Sequence, residues 1–333
     1  MRKITPILVG VALFLAIFGP ARDGPGANAP DVVRVALVLS VGGLGDRSFN
    51  DLAYAGLVRA ERELGVEGAL GEPVDHAEDE AYLAFYAERG YDLVVAVGYL
   101  MTSKLERVAP RYPDTEFLLI DGVLDLPNVR SYAFREEEGC FLVGALAALA
   151  TETGTVGFVG GMKVPLIEKF LAGYAQGARH VRPDLRVLSA WAGSFSDPVT
   201  GKAKALRQIR EGADVVFQAA GATGNGVIRA AAEEGIYAIG VDANQNDMAP
   251  GRVLTSMLKR VEETVFRTAR DVVAGEPVGG VRSVGLAEGM LGWALDEHNR
   301  AAVTPEMEAR LSALEADIVA GRIRVSETLP EAE

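Results

Sequence analysis

Residues 32–65 pass from a strand through a glycine-rich loop into a helix, and they read VVRVALVLSV, GGLGDRSFND and LAYAGLVRAERELG. The first segment is almost entirely apolar, as in a strand that is buried on both faces of a sheet. The glycines let the loop turn tightly, and Ser48 followed by Asp51 has the spacing of a helix-capping pair. Open α/β folds bind ligands where such a loop meets the positive end of a helix dipole. Position alone also permits a plain strand-to-helix connection.

Strand-like and helix-like segments alternate along the rest of the chain. This alternation predicts parallel sheets that are covered by helices on both faces. At 333 residues the chain is long for one core and suits two α/β units with a ligand between them. The predicted strands are 32–41, 66–74, 92–98, 116–121, 128–134, 155–160, 185–193, 213–220, 237–242, 253–259, 282–286 and 322–326.

The N-terminus has the pattern of an export signal. Two basic residues precede an apolar run at 7–18, which is too short for a standard transmembrane helix. We therefore interpret residues 1–30 as a signal peptide and linker, either cleaved after Ala21 or kept as a tether, and expect the protein in the periplasm or at the outer face of the cytoplasmic membrane. No cysteine is present there to carry a lipid anchor. The net charge of −13 argues against nucleic acid as a partner.

Sequence motifs for catalysis and metal binding are missing. The chain has no GxSxG, GxxxxGK[ST], HExxH or paired CxxC motif, and its three histidines are scattered. The one cysteine, Cys140, lies in an apolar helical segment and is interpreted as a core residue. The acidic run at 135–139 is interpreted as a solvated first turn of a helix. We expect no catalytic residue, no metal and no cofactor.

Candidate ligand contacts lie where the predicted strands end. Asp242 closes an apolar strand, where its carboxylate can accept hydrogen bonds from two vicinal hydroxyls, although the turn formers after it also permit a plain turn aspartate. Phe195 follows another strand, where its aromatic ring can contact a ligand. Trp191 and Phe49 are alternatives, but Phe49 is also placed to pack as the first apolar residue of its helix. Further candidates in these loops and strand ends are Asp46, Asn50, Tyr99, Asp121, Gly221 and Lys259.

Several short segments occur in a fixed order: GDRSFND (45–51), YPDTEFLLIDG (112–122), NVRSYAFREEEGCFLVG (128–144), TGTVGFVGGMKVP (153–165), GSFSDPVTGKAKA (193–205), GVDANQ (240–245) and VLTSMLKRVEE (253–263). Together they resemble the basic membrane protein (Bmp/Med) family, the exported binding proteins of nucleoside-importing ABC transporters. The resemblance extends from about residue 32 to residue 328. The chain departs from the many family members that carry a lipid-anchored cysteine after the apolar run.

The resemblance implies a particular α/β fold. This is the type I periplasmic-binding-protein fold, in which two Rossmann-like lobes with parallel sheets are joined by a three-stranded hinge. We expect an N-terminal lobe of residues 31–128 and 253–281 and a C-terminal lobe of residues 129–252 and 282–333. The alternating pattern alone would also permit two independent domains.

The resemblance also implies a ligand and roles for individual residues. In the family, an aspartate at the position of Asp242 and a lysine at the position of Lys259 bind the ribose of a nucleoside, and a ring at the position of Phe195 stacks on the base. We therefore expect a purine nucleoside such as guanosine, inosine or adenosine. Asp46, Asn50 and Asp121 are candidates to contact the polar edge of the purine, and the sequence does not decide among them. The expected partner is the membrane permease of an ABC importer, and the protein is expected to be a monomer.

Two other functions agree with the same residues. Asp242 and Lys259 alone would suit a sugar or another polyol. A nucleoside hydrolase on a similar scaffold would need an N-terminal cluster of aspartates for calcium, and the chain has only Asp46 and Asp51 in that region.

Overall fold

The computed structural model describes residues 32–329. The predicted signal peptide and linker therefore lie outside the described residues. The strands are β1 (Arg34–Val38), β2 (Glu67–Gly71), β3 (Leu93–Val97), β4 (Glu116–Ile120), β5 (Val129–Phe134), β6 (Thr155–Gly160), β7 (Arg186–Trp191), β8 (Val215–Ala219), β9 (Tyr237–Asp242), β10 (Val253–Lys259), β11 (Gly280–Val284) and β12 (Leu291–Trp293). The helices are α1 (Phe49–Leu64), α2 (Asp79–Glu88), α3 (Thr102–Val108), α4 (Glu136–Ala150), α5 (Pro165–Val181), α6 (Pro198–Arg210), α7 (Ala222–Glu234), α8 (Val261–Val273) and α9 (Pro305–Val319).

The strands form two sheets with the same topology. The first sheet has the order β2-β1-β3-β4-β5-β11, and the second has the order β7-β6-β8-β9-β10-β12. Neighbouring strands are parallel, except that β12 is antiparallel to β10. The central strands are apolar and buried, because helices cover both faces of a parallel sheet. This confirms the prediction of two α/β lobes.

Three segments connect the lobes. The chain crosses at Arg135 after β5, at Arg260 after β10, and between β11 and β12. The crossings are hydrogen-bonded to one another: the Arg135 N–H donates to the carbonyl of Val284 over 2.8 Å, and the Arg260 N–H donates to the carbonyl of Met290 over 2.9 Å. The predicted hinge of three crossings agrees with these three connections.

The predicted lobe boundaries place three strands in the wrong lobe. Strand β5 pairs with β4 in the first sheet, β10 pairs with β9 in the second, and β11 pairs with β5 in the first. The sequence places each boundary before the predicted strand. In the structure, each strand still pairs within the sheet of the lobe that the chain is leaving, and the chain crosses to the other lobe after that strand. The predicted strand at 322–326 is also wrong, since this segment has no strand partner among residues 32–329.

Helices α4 and α5 pack in unusually close contact in the second lobe. Helix α4 is apolar on nearly every side and is almost completely buried. Gly144, Gly173 and Gly177 permit the close approach, since a Cβ atom on Gly177 would meet the carbonyl oxygen of Phe141. This packing fixes the N-terminal parts of α4 and α5, which carry Glu136 and Lys169.

We expect Gly177→Ala to destabilise the protein by about 1 to 3 kcal/mol, because the added methyl group overpacks against backbone that cannot move aside. An exposed helical Gly→Ala change would have the opposite sign, because alanine favours the helix. Urea unfolding followed by circular dichroism measures the difference. Gly292→Ala in β12 is the control, since a Cβ atom there meets nothing within 4 Å. An unchanged or higher midpoint for Gly177→Ala would contradict the packing described.

Candidate ligand-binding site

A cleft lies where the carboxyl ends of the two sheets face each other. Its open volume is about 740 Å³, including the part that is open to solvent. The predicted residues that line the cleft are Asp46, Phe49, Asn50, Tyr99, Asp121, Phe195, Gly221, Asp242 and Lys259.

The carboxylate of Asp46 caps helix α1. One oxygen accepts a hydrogen bond from the Ser48 N–H over 2.8 Å, and the other accepts from the Asn50 N–H over 2.9 Å. Burial raises the pKa of Asp46 above its usual value, although these hydrogen bonds act in the opposite direction. The predicted capping pair of Ser48 and Asp51 is therefore wrong. Asp51 instead accepts from N–H groups within the loop.

The side-chain amide of Asn50 holds the glycine-rich loop. Its oxygen accepts a hydrogen bond from the Ser40 N–H over 3.1 Å, and its nitrogen donates to the carbonyls of Ser40 and Gly43 over 3.2 and 3.1 Å. Both ends of the amide are thus engaged by the protein's own backbone. Asn50 and Asp46 shape the cleft wall, and their polar groups are largely satisfied without a ligand.

Asp121 and Asp242 occupy equivalent places in the two lobes. Asp121 follows β4 and Asp242 ends β9, and these strands have the same position in their sheets. Both have a left-handed backbone, with φ of 69° and 62°. This conformation is unfavourable for residues other than glycine and is concentrated at functional sites. The two lobes therefore present matching carboxylates to one cleft.

Asp242 is connected to the opposite lobe by Ser48. The Ser48 hydroxyl donates a hydrogen bond to Oδ2 of Asp242 over 2.7 Å. Burial raises the pKa of Asp242 to about 7, and the positive charge of Lys259 and the Ser48 hydrogen bond only partly offset this. Within residues 32–329, no hydrogen bond is made by the other carboxylate oxygen, Oδ1. A donor from a ligand can therefore bind there.

The ammonium group of Lys259 is buried at the end of β10 and is 1% exposed. Its nitrogen lies 2.6 Å from Oδ1 of Asp121 and 2.8 Å from Oε1 of Glu136. Burial alone would lower the pKa of Lys259, but these carboxylates raise it above its usual value. Within residues 32–329, the carboxylates that form ion pairs with Lys259 are Asp121 and Glu136, and Asp242 is not among them. Lys259 influences Asp242 only through space.

The prediction of a solvated acidic turn at 135–139 is wrong for Glu136 and Glu137, which are 0% and 4% exposed. Lys169 of α5 lies 2.6 Å from Oε2 of Glu136. The sequence does contain a signal for this burial, because CFLVGALAALA after residue 139 is apolar on every helical face. A helix that is buried all round also buries its first turn.

Aromatic rings reach the cleft from both lobes. Phe49 begins α1 in the first lobe, and Phe195 follows β7 in the second. Trp191 does not line the cleft, because its ring packs inside the second lobe, 5.9 Å from the ring of Phe158. Gly221 has a φ of 55°, and a Cβ atom there would lie 3.2 Å from the carbonyl of Phe195. Glycine therefore lets these two loops approach each other.

Sequence reasoning missed an apolar wall of the cleft. It comes from the start of α5 and consists of Val164, Leu166, Ile167 and Phe170. No set of three or more histidine, cysteine or acidic side chains within residues 32–329 has an arrangement that could hold a metal. None of the helices in that range is long and apolar enough to cross a membrane.

Two parallel α/β lobes, three crossings and a cleft at the strand ends define a solute-binding protein of the type I fold. Residues 33–328 match the family described as PnrA-like ABC transporter substrate-binding proteins (Bmp), and the chain belongs to this family. Its members are extracytoplasmic binding proteins rather than enzymes. The nucleoside hydrolase alternative is therefore wrong.

Individual relatives agree with this assignment. A crystal structure of an ABC transporter solute-binding protein from Aeropyrum pernix is 33% identical, covers 90% of this chain and 94% of its own, and has a TM-score of 0.82. The ABC transporter nucleoside-binding protein BmpA of Lactococcus lactis is 30% identical over 96% of both chains. An uncharacterized lipoprotein of Pyrococcus furiosus is 36% identical over 89% of this chain and 79% of its own length.

We expect Asp242→Asn to stabilise the ligand-free protein at pH 8, raising the melting temperature by at least about 3 °C. Because the folded-state pKa of about 7 lies above the unfolded value near 4, the folded protein binds a proton that the unfolded chain has lost. The ionised carboxylate thus costs stability as the pH rises from about 4 to 7. Asparagine has the same shape without the charge and tolerates the left-handed backbone.

Thermal unfolding of both proteins between pH 4 and pH 8 tests this expectation. The difference in melting temperature should be small near pH 4 and grow toward pH 8. A variant that melts below the wild type at pH 8 would show that ionised Asp242 stabilises the fold instead.

Proposed function

We propose that this substrate-binding protein takes up a purine nucleoside, such as guanosine, inosine or adenosine, in the cleft between its lobes. It then delivers the nucleoside to the membrane permease of an ABC importer. The observation that carries the proposal is Asp242: a buried carboxylate at a strand end, with one oxygen held by Ser48 and the other available to the cleft.

Asp242 and Lys259 suit the ribose. A carboxylate is an acceptor, so it can take hydrogen bonds from the vicinal 2′ and 3′ hydroxyls. Lys259 has three N–H donors. One donates to Oε1 of Glu136, and the ammonium also forms an ion pair with Oδ1 of Asp121. Another N–H can donate to a ribose oxygen. A ligand that donates to Asp242 also favours its ionised form, which burial disfavours.

Phe49 and Phe195 suit the base. They approach the cleft from opposite lobes, so a flat ring bound between them would contact both. Stacking of one base on an aromatic side chain contributes about 1 to 3 kcal/mol. The apolar wall of α5 adds a surface for the base, and this favours a nucleoside over a bare sugar or other polyol.

The charge of the cleft favours a neutral ligand. Three carboxylates line it, those of Asp46, Asp121 and Asp242, and the one lysine that lines it is already paired with carboxylates. A phosphate group would meet these negative charges in a site with little water, where like charges repel strongly. This supports a nucleoside rather than a nucleotide.

The Lactococcus lactis relative is named a nucleoside-binding protein, which agrees with this ligand. Binding proteins of this family act outside the cytoplasmic membrane, and we propose that this one is an exported monomer. The N-terminal segment would direct the export.

We expect Asp242→Ala to weaken inosine or guanosine binding by about 30-fold to 1000-fold, because ribose hydroxyls are then buried without an acceptor. Isothermal titration calorimetry with inosine and 2′,3′-dideoxyinosine measures this loss. Wild type should bind the dideoxy compound poorly, and the variant should bind both compounds with similar affinity.

Asp184→Ala, an exposed aspartate of the same lobe, is the control and should bind inosine as the wild type does. If Asp242→Ala keeps wild-type affinity for purine nucleosides, Asp242 is a turn residue and the placement of the ribose is wrong. If wild type binds a free sugar and no nucleoside, the polyol alternative replaces the proposal.

A further inference from the structure

The side chains of Glu136 and Lys169 do not line the ligand cleft. Both line a second cavity, whereas Lys259 lines only the ligand cleft, and Asp121 lines both. The ion pair between Lys259 and Asp121 thus forms part of the wall between the two cavities. Glu136 does not line the ligand cleft, so any effect that it has on a ligand there must act through Lys259 or Asp121.

The carboxylate of Glu136 is fixed by a cation on each side. Oε1 lies 2.8 Å from the ammonium of Lys259, and Oε2 lies 2.6 Å from that of Lys169. Lys169 also donates a hydrogen bond to the carbonyl of Phe134 over 2.6 Å. Because Glu136 is completely buried and begins α4, its position is set by the helix and by both lysines together.

The two carboxylates that pair with Lys259 belong to different lobes. Glu136 and Lys259 both belong to elements of the second lobe, whereas Asp121 follows a strand of the first lobe. Within residues 32–329, Asp121 would be the only carboxylate left within ion-pairing distance of Lys259 if Glu136 were neutral. The ammonium would then turn toward Asp121 and away from the position that its two partners now define.

We propose that Glu136 is a positioning residue, which holds the Lys259 ammonium where one of its N–H groups meets a ribose hydroxyl in the cleft. Lys169 completes the arrangement by holding the other oxygen of Glu136. This inference rests on the proposed nucleoside function. It assigns part of the selectivity for ribose to a residue that touches no ligand.

Glu136→Gln tests the inference, because glutamine has the same shape and lacks the charge. The matched control is Glu137→Gln, the next residue of the same helical turn. Glu137 is also buried, but it lies 3.8 Å from Lys169 and is not paired with Lys259. Calorimetry with inosine and 2′,3′-dideoxyinosine gives the affinity ratio of the two ligands for each protein.

We expect Glu136→Gln to weaken inosine binding about tenfold and to leave dideoxyinosine binding nearly unchanged, so that the ratio falls about tenfold. Selectivity should not vanish, since Asp242 remains. Glu137→Gln should keep the wild-type ratio. A packing defect would instead weaken the binding of both ligands equally and leave the ratio unchanged. An unchanged ratio would overturn the inference.

A second variant guards against loss of folding. Glu136→Gln combined with Lys169→Met removes one negative and one positive charge together, so Lys169 is not left as a cation without Glu136, while Lys259 still loses this partner. Replacement of a buried ion pair by uncharged groups is often tolerated. Circular dichroism establishes folding, and the double variant should show the same fall in the ratio. If wild type binds inosine selectively and both variants keep that ratio, only the role of Glu136 is wrong. If wild type binds neither nucleoside, the proposed function fails as well.

Discussion

The ammonium group of Lys259 is buried between carboxylates that belong to both lobes. A buried charge costs several kcal/mol unless it is paired, so Asp121 and Glu136 must both lie within reach of it. This requirement ties together distant parts of the chain. Strands β4 and β10 have to end at the same cleft, and α4 has to begin there, which the crossings after β5 and β10 allow.

The same burial determines what the cleft can bind. The carboxyl groups of Asp121 and Asp242 have a raised pKa, to about 6 and about 7, chiefly because they are buried. An acceptor-rich site of this kind favours a neutral ligand with several hydroxyl donors. Phe49 and Phe195 add flat apolar surfaces from opposite lobes. Together these features agree with a nucleoside better than with a phosphate ester or a bare polyol.

Much of the fold and of the cleft was predictable from the sequence, because apolar strands and the loops after them follow local rules. Because Asp121, Asp242 and Lys259 lie at predicted strand ends, the sequence indicated that they line the cleft. The sheet that each strand joins depends on long-range pairing, so the sequence placed the lobe boundaries before β5, β10 and β11 instead of after them. The pairing of Lys259 with Glu136 likewise depends on how closely α4 and α5 pack, and no local pattern shows which carboxylate a lysine meets.

In the proposed complex, the strand-end charges of the two lobes bind the ribose of a nucleoside while rings from both lobes contact its base. A crystal structure of the protein with inosine tests this arrangement most directly. We expect the 2′ and 3′ hydroxyls within hydrogen-bonding distance of Asp242 and Lys259, and the purine between Phe49 and Phe195. Inosine bound elsewhere, or bound in the cleft with its ribose away from Asp242, would contradict this arrangement.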